Sequence, residues 1–410
     1  MATDELPSEL LQEATELSRG ALVVPDSVEG LARKLLQARH EGRPLRVKLG
    51  VDPTSAHLHL GHAVVGRALR RFMDHGHQAV ILIGGFTARI GDPTGRNTTR
   101  PKLTAEEVAQ NATNFLAQLR RILDVDQVEV VNNANWFDKM SLPELMELAA
   151  KLSVNQLLAK DDFRTRIANG DSLALHEFLY PALQGFDSVQ VRADVELGGT
   201  DQRFNLLMAR QLQPSFGQEP QVAMMMPILE GTDGRRKMSK SFGNAIALDD
   251  SADDIVAKCM QIPDELVLKF FTLATNMTGD EVESERAVLA SGGNPKDAKE
   301  RLARRIATEL QSADAAETAI AAWHKVHSLR ELPDTMPERV QVEQIGLVKL
   351  LVESGMAESN TKARRLITDG AVKLDGDKEM NVDRVVEPIA AGGALVVSVG
   401  RKKFLRLTGK

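Results

Sequence analysis

Short apolar runs punctuate the first 230 residues. LRVKLGVD at 45–52 and AVILIGG at 79–85 read as buried strands. Between them LGHAVVGRALRRFMDHG repeats apolar residues at helical spacing, with basic residues on the opposite face. Strand, helix and strand over about 40 residues make the βαβ unit of a parallel, nucleotide-binding sheet. QVEVVNN (127–133), ADVELGG (193–199) and QVAMMMPI (221–228) predict further buried strands. Thr104 with Glu107, and Ser141 with Glu144, fit capping boxes that open helices. Past about residue 245 the strand pattern stops, and 249–326 is rich in Ala, Leu, Glu and Lys at helical period. ELPDTMPERV (331–340) holds two prolines and little apolar content, as a linker does. The remainder alternates two helices, GLVKLLVESG and NTKARRLITDG, with strands in AVKLDG and ALVVSVG. The expected organisation is an α/β parallel-sheet domain with an insertion over 1–245 and an all-helical domain over 246–330. A linker at 331–342 leads to a small C-terminal α+β domain over 343–410.

Composition narrows the setting. At 410 residues the chain exceeds one compact core, and its 43% hydrophobic and 26% charged residues are ordinary for a globular protein. No stretch approaches the roughly 20 apolar residues that span a bilayer, and the acidic, polar N-terminus lacks the order of a secretory signal. A single cysteine, Cys259, rules out an internal disulfide and disfavours a cysteine-based zinc site. A cytoplasmic protein without membrane contact is expected. The net charge of -6 does not advertise nucleic-acid binding, but it is unevenly spread. Residues 343–410 carry 12 Lys/Arg against 9 Asp/Glu, a basic tail on an acidic body. Such a tail is compatible with an RNA-binding module and equally with an uneven solvated surface.

Candidate chemistry concentrates where the first strand meets the first helix. Asp52-Pro53-Thr54 is followed by His59-Leu60-Gly61-His62, at the usual position of a phosphate-binding turn. Two histidines three apart can donate to an anionic chain lying on the helix N-terminus, and Gly61 permits close approach of a ligand. No third ligand stands at metal spacing, so a zinc pair is disfavoured. The second motif is Lys237-Met238-Ser239-Lys240-Ser241, followed by Phe242-Gly243-Asn244. Two lysines among small residues in a loop can close on a triphosphate and neutralise charge developing during attack.

The two motifs together, one at each end of an α/β domain, resemble the HIGH and KMSKS signatures of the class I aminoacyl-tRNA synthetases, whose catalytic domain is Rossmann-like. Gly198-Gly199-Thr200-Asp201-Gln202 is similar to the G-G-x-D-Q of the tyrosyl and tryptophanyl subgroup. Within it, Tyr180, Gln184 and Asp187 match the tyrosyl pattern Y-x-x-x-Q-x-x-D, and their spacing sets all three on one helical face. Tyr180 and Gln184 suit a substrate ammonium group, and Asp187 suits the phenolic proton. A buried acceptor for that hydroxyl rejects phenylalanine by leaving a polar group unpaired, a rule for which the tyrosyl enzymes are the standing illustration. Ile90-Gly91-Asp92-Pro93-Thr94-Gly95-Arg96, extended to Arg100, resembles the family's I-G-D-P-S-G-K element. That match implies that Asp92 pairs with the ammonium and that Arg96 and Arg100 reach toward pyrophosphate. Asn132, Asn133 and Trp136 match a similar family segment, without an assigned role.

The resemblance implies tyrosine activation by ATP, with magnesium, followed by transfer to tRNA(Tyr), in a homodimer. His59, His62, Lys237, Lys240 and Thr54 form the implied catalytic set. Gly50, Gly61, Gly199, Asp201, Lys240, Arg96 and Arg100 are the implied ATP contacts. Asp52, Asp92, Tyr180, Gln184, Asp187 and Gln202 are those for tyrosine. The C-terminal segment resembles the RNA-binding domain of ribosomal small-subunit protein four, implying phosphate contacts from Arg364, Arg365 and Lys373. One position departs: where many tyrosyl enzymes carry the Tyr of Y-x-G-x-D-P, this chain carries Lys48. That leaves Asp187, with Gln202, to read the phenol. A tryptophanyl enzyme, a non-catalytic RNA-binding paralogue and a nucleotidyltransferase for a small metabolite are the rival readings.

Overall fold

The computed structural model describes residues 6–54, 57–94, 103–327, 336–400 and 403–409. It divides into two compact units, Met1–Glu317 and Thr318–Lys410.

The first unit is built on a six-stranded sheet: β1 (Leu22–Val24), β2 (Arg46–Val51), β3 (Gln78–Ile83), β4 (Glu129–Asn132), β5 (Val195–Gly199) and β6 (Val222–Met226). The order is β1-β6-β5-β2-β3-β4, parallel throughout except for the antiparallel edge strand β1. The five predicted strands are all present. β2, β3, β5 and β6 are largely apolar because helices cover both faces of a parallel sheet, whereas β4, expected to be buried, is an edge strand with Val130 exposed. Sequence order reverses beside β2, whose neighbours are β3 and β5, so a crevice opens beyond the C-terminal ends of β2 and β5. The first connecting helix, Leu60–Asp74, is buried around most of its circumference, including Leu60, Ala63, Val64, Leu69 and Phe72. Both expected capping boxes are formed, at Thr104 and at Ser141.

Helices over 252–310 pack within this same unit. The helix Val267–Ala274 contacts Leu60–Asp74. Buried Arg67 joins the two regions, with bonds to Asn276 Oδ1 at 3.0 Å and Glu309 Oε2 at 2.8 Å.

The second unit contains helices Leu347–Glu353 and Asn360–Thr368 against a five-stranded sheet. Leu347, Leu350, Leu351, Ile367, Val397 and Leu407 form its core. Glu338–Val340, inside the stretch read as linker, is an edge strand parallel to Lys403–Thr408. Its three residues are too few for an alternating pattern to register in sequence. Among the described residues no helix is long and apolar enough to cross a membrane.

Candidate active site

Two cavities lie at the C-terminal ends of β2 and β5. The smaller, about 250 Å³, is lined by Gly50, Asp52, Asp92, Tyr180, Gln184, Asp187 and Gln202 among others. The larger, about 750 Å³, is lined by His59, Gly61, His62, Gly199, Asp201, Lys237 and Lys240 among others. Thr54 borders both. The Gly-Gly-Thr-Asp-Gln turn alternates between them: Gly198 and Gln202 face the smaller cavity, Gly199 and Asp201 the larger. Gly50, expected on the nucleotide side, lines the smaller cavity instead. A Cβ there would meet only Lys48 Cε at 3.8 Å, so packing alone does not demand glycine. Arg96 and Arg100 lie outside the described residues.

The smaller cavity is framed by hydrogen bonds. Tyr180 and Asp187 are buried on the helix Leu175–Val191. The Tyr180 hydroxyl donates to Asp52 Oδ2 at 2.7 Å, and Thr87 Oγ1 donates to Asp52 Oδ1 at 2.7 Å. Fully buried Asn133 donates to Thr87 Oγ1 at 3.0 Å and to Asp187 Oδ2 at 3.1 Å. Trp136 Nε1 donates to Asp187 Oδ1 at 3.0 Å. Burial pushes the Asp187 carboxyl up to about 7, against the pull of the Lys48 charge and these two donors. Burial, and then the Asp52 charge, raises the Tyr180 phenol well above its usual range. On the other wall Gln202 Nε2 donates to Asp92 Oδ2 at 2.7 Å. Thr87, Asn133 and Trp136 are structural partners that sequence reasoning left unassigned. They come from segments with no common spacing.

In the larger cavity the two histidine rings lie with centroids 4.0 Å apart, tilted by 42° to each other. The His59 backbone N–H donates to His62 Nδ1 at 3.2 Å, which leaves the His62 proton on Nε2. Burial lowers His59 to about 3, with His62 adding to the effect, and burial lowers His62 to about 4. Both are therefore neutral donors at ordinary pH. His59 Nδ1 is a buried polar atom without a partner among the described residues. Leu60 N donates to Ile246 O at 2.9 Å and Leu248 N to Leu58 O at 3.0 Å, so the histidine motif is laced to the chain just past Lys240.

The lysine loop is held from within. Met238 N donates to Leu229 O at 2.9 Å and Gly231 N to Arg236 O at 2.9 Å. Buried Asn244 accepts from Ser239 N at 2.8 Å and donates to Lys237 O at 3.3 Å. A Cβ on Gly231 would lie 2.1 Å from Asn244 Cγ, so only glycine admits this side chain. Burial raises Asp201, while the Lys237 charge lowers it. Among the described residues no group of three or more His, Cys, Asp or Glu is arranged to hold a metal.

In the second unit Arg364 and Arg365 are exposed on the helix Asn360–Thr368, and Lys373 is half-buried in the strand Val372–Leu374.

Residues 40–328 match the family model for class I tRNA synthetases of the tryptophan and tyrosine group. Residues 328–407 match that for the C-terminal domain of tyrosine–tRNA ligases. Similar curated proteins include the tyrosine–tRNA ligase of Moorella thermoacetica, 46% identical over 98% of this chain and 97% of that protein. That of Thermotoga maritima is 47% identical over 89% of this chain and 90% of the relative. Among solved structures, a C-terminally truncated mitochondrial tyrosyl-tRNA synthetase from Aspergillus nidulans shares the fold at TM-score 0.64 and 21% identity. It aligns over 77% of this chain and 94% of its own. The tyrosyl-tRNA synthetase of Archaeoglobus fulgidus, solved with L-tyrosine, aligns at TM-score 0.59 and 20% identity, over 76% of this chain and 99% of its own. Matched along nearly its whole length, and in both regions in order, the chain belongs to the tyrosine–tRNA ligases of class I.

Proposed function

We propose that the chain activates L-tyrosine with ATP and transfers it to the 3' end of tRNA(Tyr) for translation, a role exercised in the cytoplasm. The observation that carries this reading is the pair of cavities meeting at Thr54. One is sized and lined for an amino acid with a buried polar tip; the other is ringed by the histidine and lysine motifs.

In the first step the tyrosine carboxylate attacks the α-phosphorus of ATP, the bond to the β-phosphate oxygen breaks, and pyrophosphate leaves. In the second, the terminal ribose hydroxyl of tRNA attacks the adenylate carbonyl and AMP leaves. Neither step needs a covalent enzyme intermediate, so the protein contributes positioning and charge stabilisation. Asp187 accepts the substrate phenol proton, while Asn133 and Trp136 keep its oxygens aimed. Tyr180, Gln184, Asp52, Asp92 and Gln202 surround the ammonium end. His59 and His62 donate to phosphate oxygens from the helix N-terminus, Lys237 and Lys240 approach from the loop, and Asp201 meets the ribose. Arg96 and Arg100, which lie outside the described residues, are the ones that the sequence resemblance assigns to the departing pyrophosphate. Magnesium arrives on the triphosphate: Asp201 is the lone carboxylate among the described lining residues of the larger cavity, which suits an ion held chiefly by phosphates.

The helical region over 246–330 and the C-terminal domain over 343–410 take tRNA, the latter through Arg364, Arg365 and Lys373. The active assembly is a homodimer. Leu142, Met146, Val154 and Leu175 are 61–78% exposed within a short span, an apolar surface suited to a second copy. Amino-acid-dependent ATP–pyrophosphate exchange tests the reading. Exchange with tyrosine alone is expected; exchange with tryptophan but not tyrosine overturns the substrate, and none with any amino acid overturns the activity.

A further inference from the structure

Lys48 takes no direct part in either step, yet it is fully buried and borders the smaller cavity. It stands opposite Glu196 across the parallel β2–β5 pairing, and the two form an ion pair of 3.0 Å. Lys48 Nζ also donates to Ser188 Oγ at 2.8 Å and to the Gln184 backbone oxygen at 3.3 Å. Glu196 accepts from Gln184 Nε2 at 3.3 Å, from Ser188 Oγ at 3.1 Å and from Gln221 Nε2. Four donors therefore converge on one buried carboxylate. Burying both charges costs desolvation, which the pair and its surrounding hydrogen bonds offset. Gln184 has an amide with one donor end and one acceptor end. With Nε2 committed to Glu196, its Oε1 is the end left for the cavity.

We propose that the Lys48–Glu196 pair is a positioning device for the substrate's ammonium group, holding the Gln184 amide with its carbonyl oxygen toward the bound amino acid. The inference rests on tyrosine being the substrate. Neutralising Glu196 removes the reason for that orientation. The amide then turns over and sets N–H groups against an ammonium. One charge-assisted hydrogen bond is lost, which corresponds to roughly a tenfold to hundredfold loss of affinity. In this chain, therefore, the strand position that holds a phenol-binding tyrosine in many tyrosyl enzymes serves the opposite end of the substrate.

The test uses Glu196→Gln, the double variant Lys48→Met/Glu196→Met, which leaves no unpaired buried charge, and Gln184→Leu. Dissociation constants are measured for tyrosine, for 3-(4-hydroxyphenyl)propanoate, which lacks the ammonium, and for phenylalanine, which lacks the hydroxyl. The preference for tyrosine over the propanoate should fall at least about tenfold in both Glu196 variants. The preference over phenylalanine should stay constant in Glu196→Gln, which keeps the Lys48 charge that acts on Asp187. In a Gln184→Leu background, Glu196→Gln should change neither preference. Equal weakening of all three ligands would mean that the pair only supports the fold, and an unaltered ammonium preference would overturn the inference outright. Wild-type protein that fails to bind tyrosine would instead sink the substrate reading.

Discussion

Burial raises Asp187 to about 7 in the ligand-free protein. A phenol donating to this group favours its charged form, so tyrosine binding releases a proton. Affinity for tyrosine should therefore tighten as pH rises from 6 toward 8, by at most about tenfold per unit. Asp187→Asn should flatten that profile and reduce discrimination against phenylalanine by about tenfold or more, since the amide is no longer a pure acceptor. Folding stability moves the other way. The folded value exceeds the ordinary aspartate value, so the protonated group contributes stability that is full below about pH 4 and is lost as pH rises through about 7. Denaturant titrations of ligand-free protein at pH 5 and pH 8 should show that loss in wild type and not in Asp187→Asn. The histidines behave differently, because burial holds both neutral across this whole range. His62→Ala should lower the rate of adenylate formation by about 10²–10³, with tyrosine affinity unchanged.

At the scale of elements, the lysine loop depends on one side chain outside its motif. Asn244→Ala should cut the exchange rate by roughly tenfold while leaving tyrosine affinity intact, because Asn244 bonds the backbone of the loop and does not line the smaller cavity. Gly231→Ala should do the same from the other side of the contact. Pre-steady-state adenylate formation and equilibrium tyrosine binding, measured side by side, separate these effects. The loop's chemistry was legible because Lys237 to Ser241 is contiguous; its clasp was not, since Gly231 and Asn244 meet only after the loop turns. The same division runs through the fold. The strand β3 announced itself as an apolar run and β2 as an apolar-rich one, and the capping boxes at Thr104 and Ser141 are local by nature. The edge strand β1 has three residues and draws its identity from β6, some two hundred positions later. Lys48 was visible in sequence as a departure from the family pattern, but its meeting with Glu196 required the β2–β5 register. The links from Asp52 through Thr87 and Asn133 to Asp187 join four segments, and no spacing rule foretells them.

For the molecule as a whole, the division at 317/318 gives each unit its own core. Removing 343–410 should leave ATP–pyrophosphate exchange within about twofold of wild type while abolishing efficient tRNA charging, because the residues lining both cavities all lie in the first unit. Loss of both activities together would show that the tail supports the catalytic fold. Met146→Glu combined with Leu175→Glu should yield monomers in sedimentation equilibrium, since each introduces a charge where a partner would need apolar contact. The meeting of the two cavities at Thr54 carries a final consequence. The reaction begins with two separate guests and makes one molecule moored at both ends. Once tethered, each half raises the effective concentration of the other at its own site, so the intermediate is held far more firmly than either precursor. A reactive mixed anhydride is thereby kept from escaping into water while the protein waits for an acceptor.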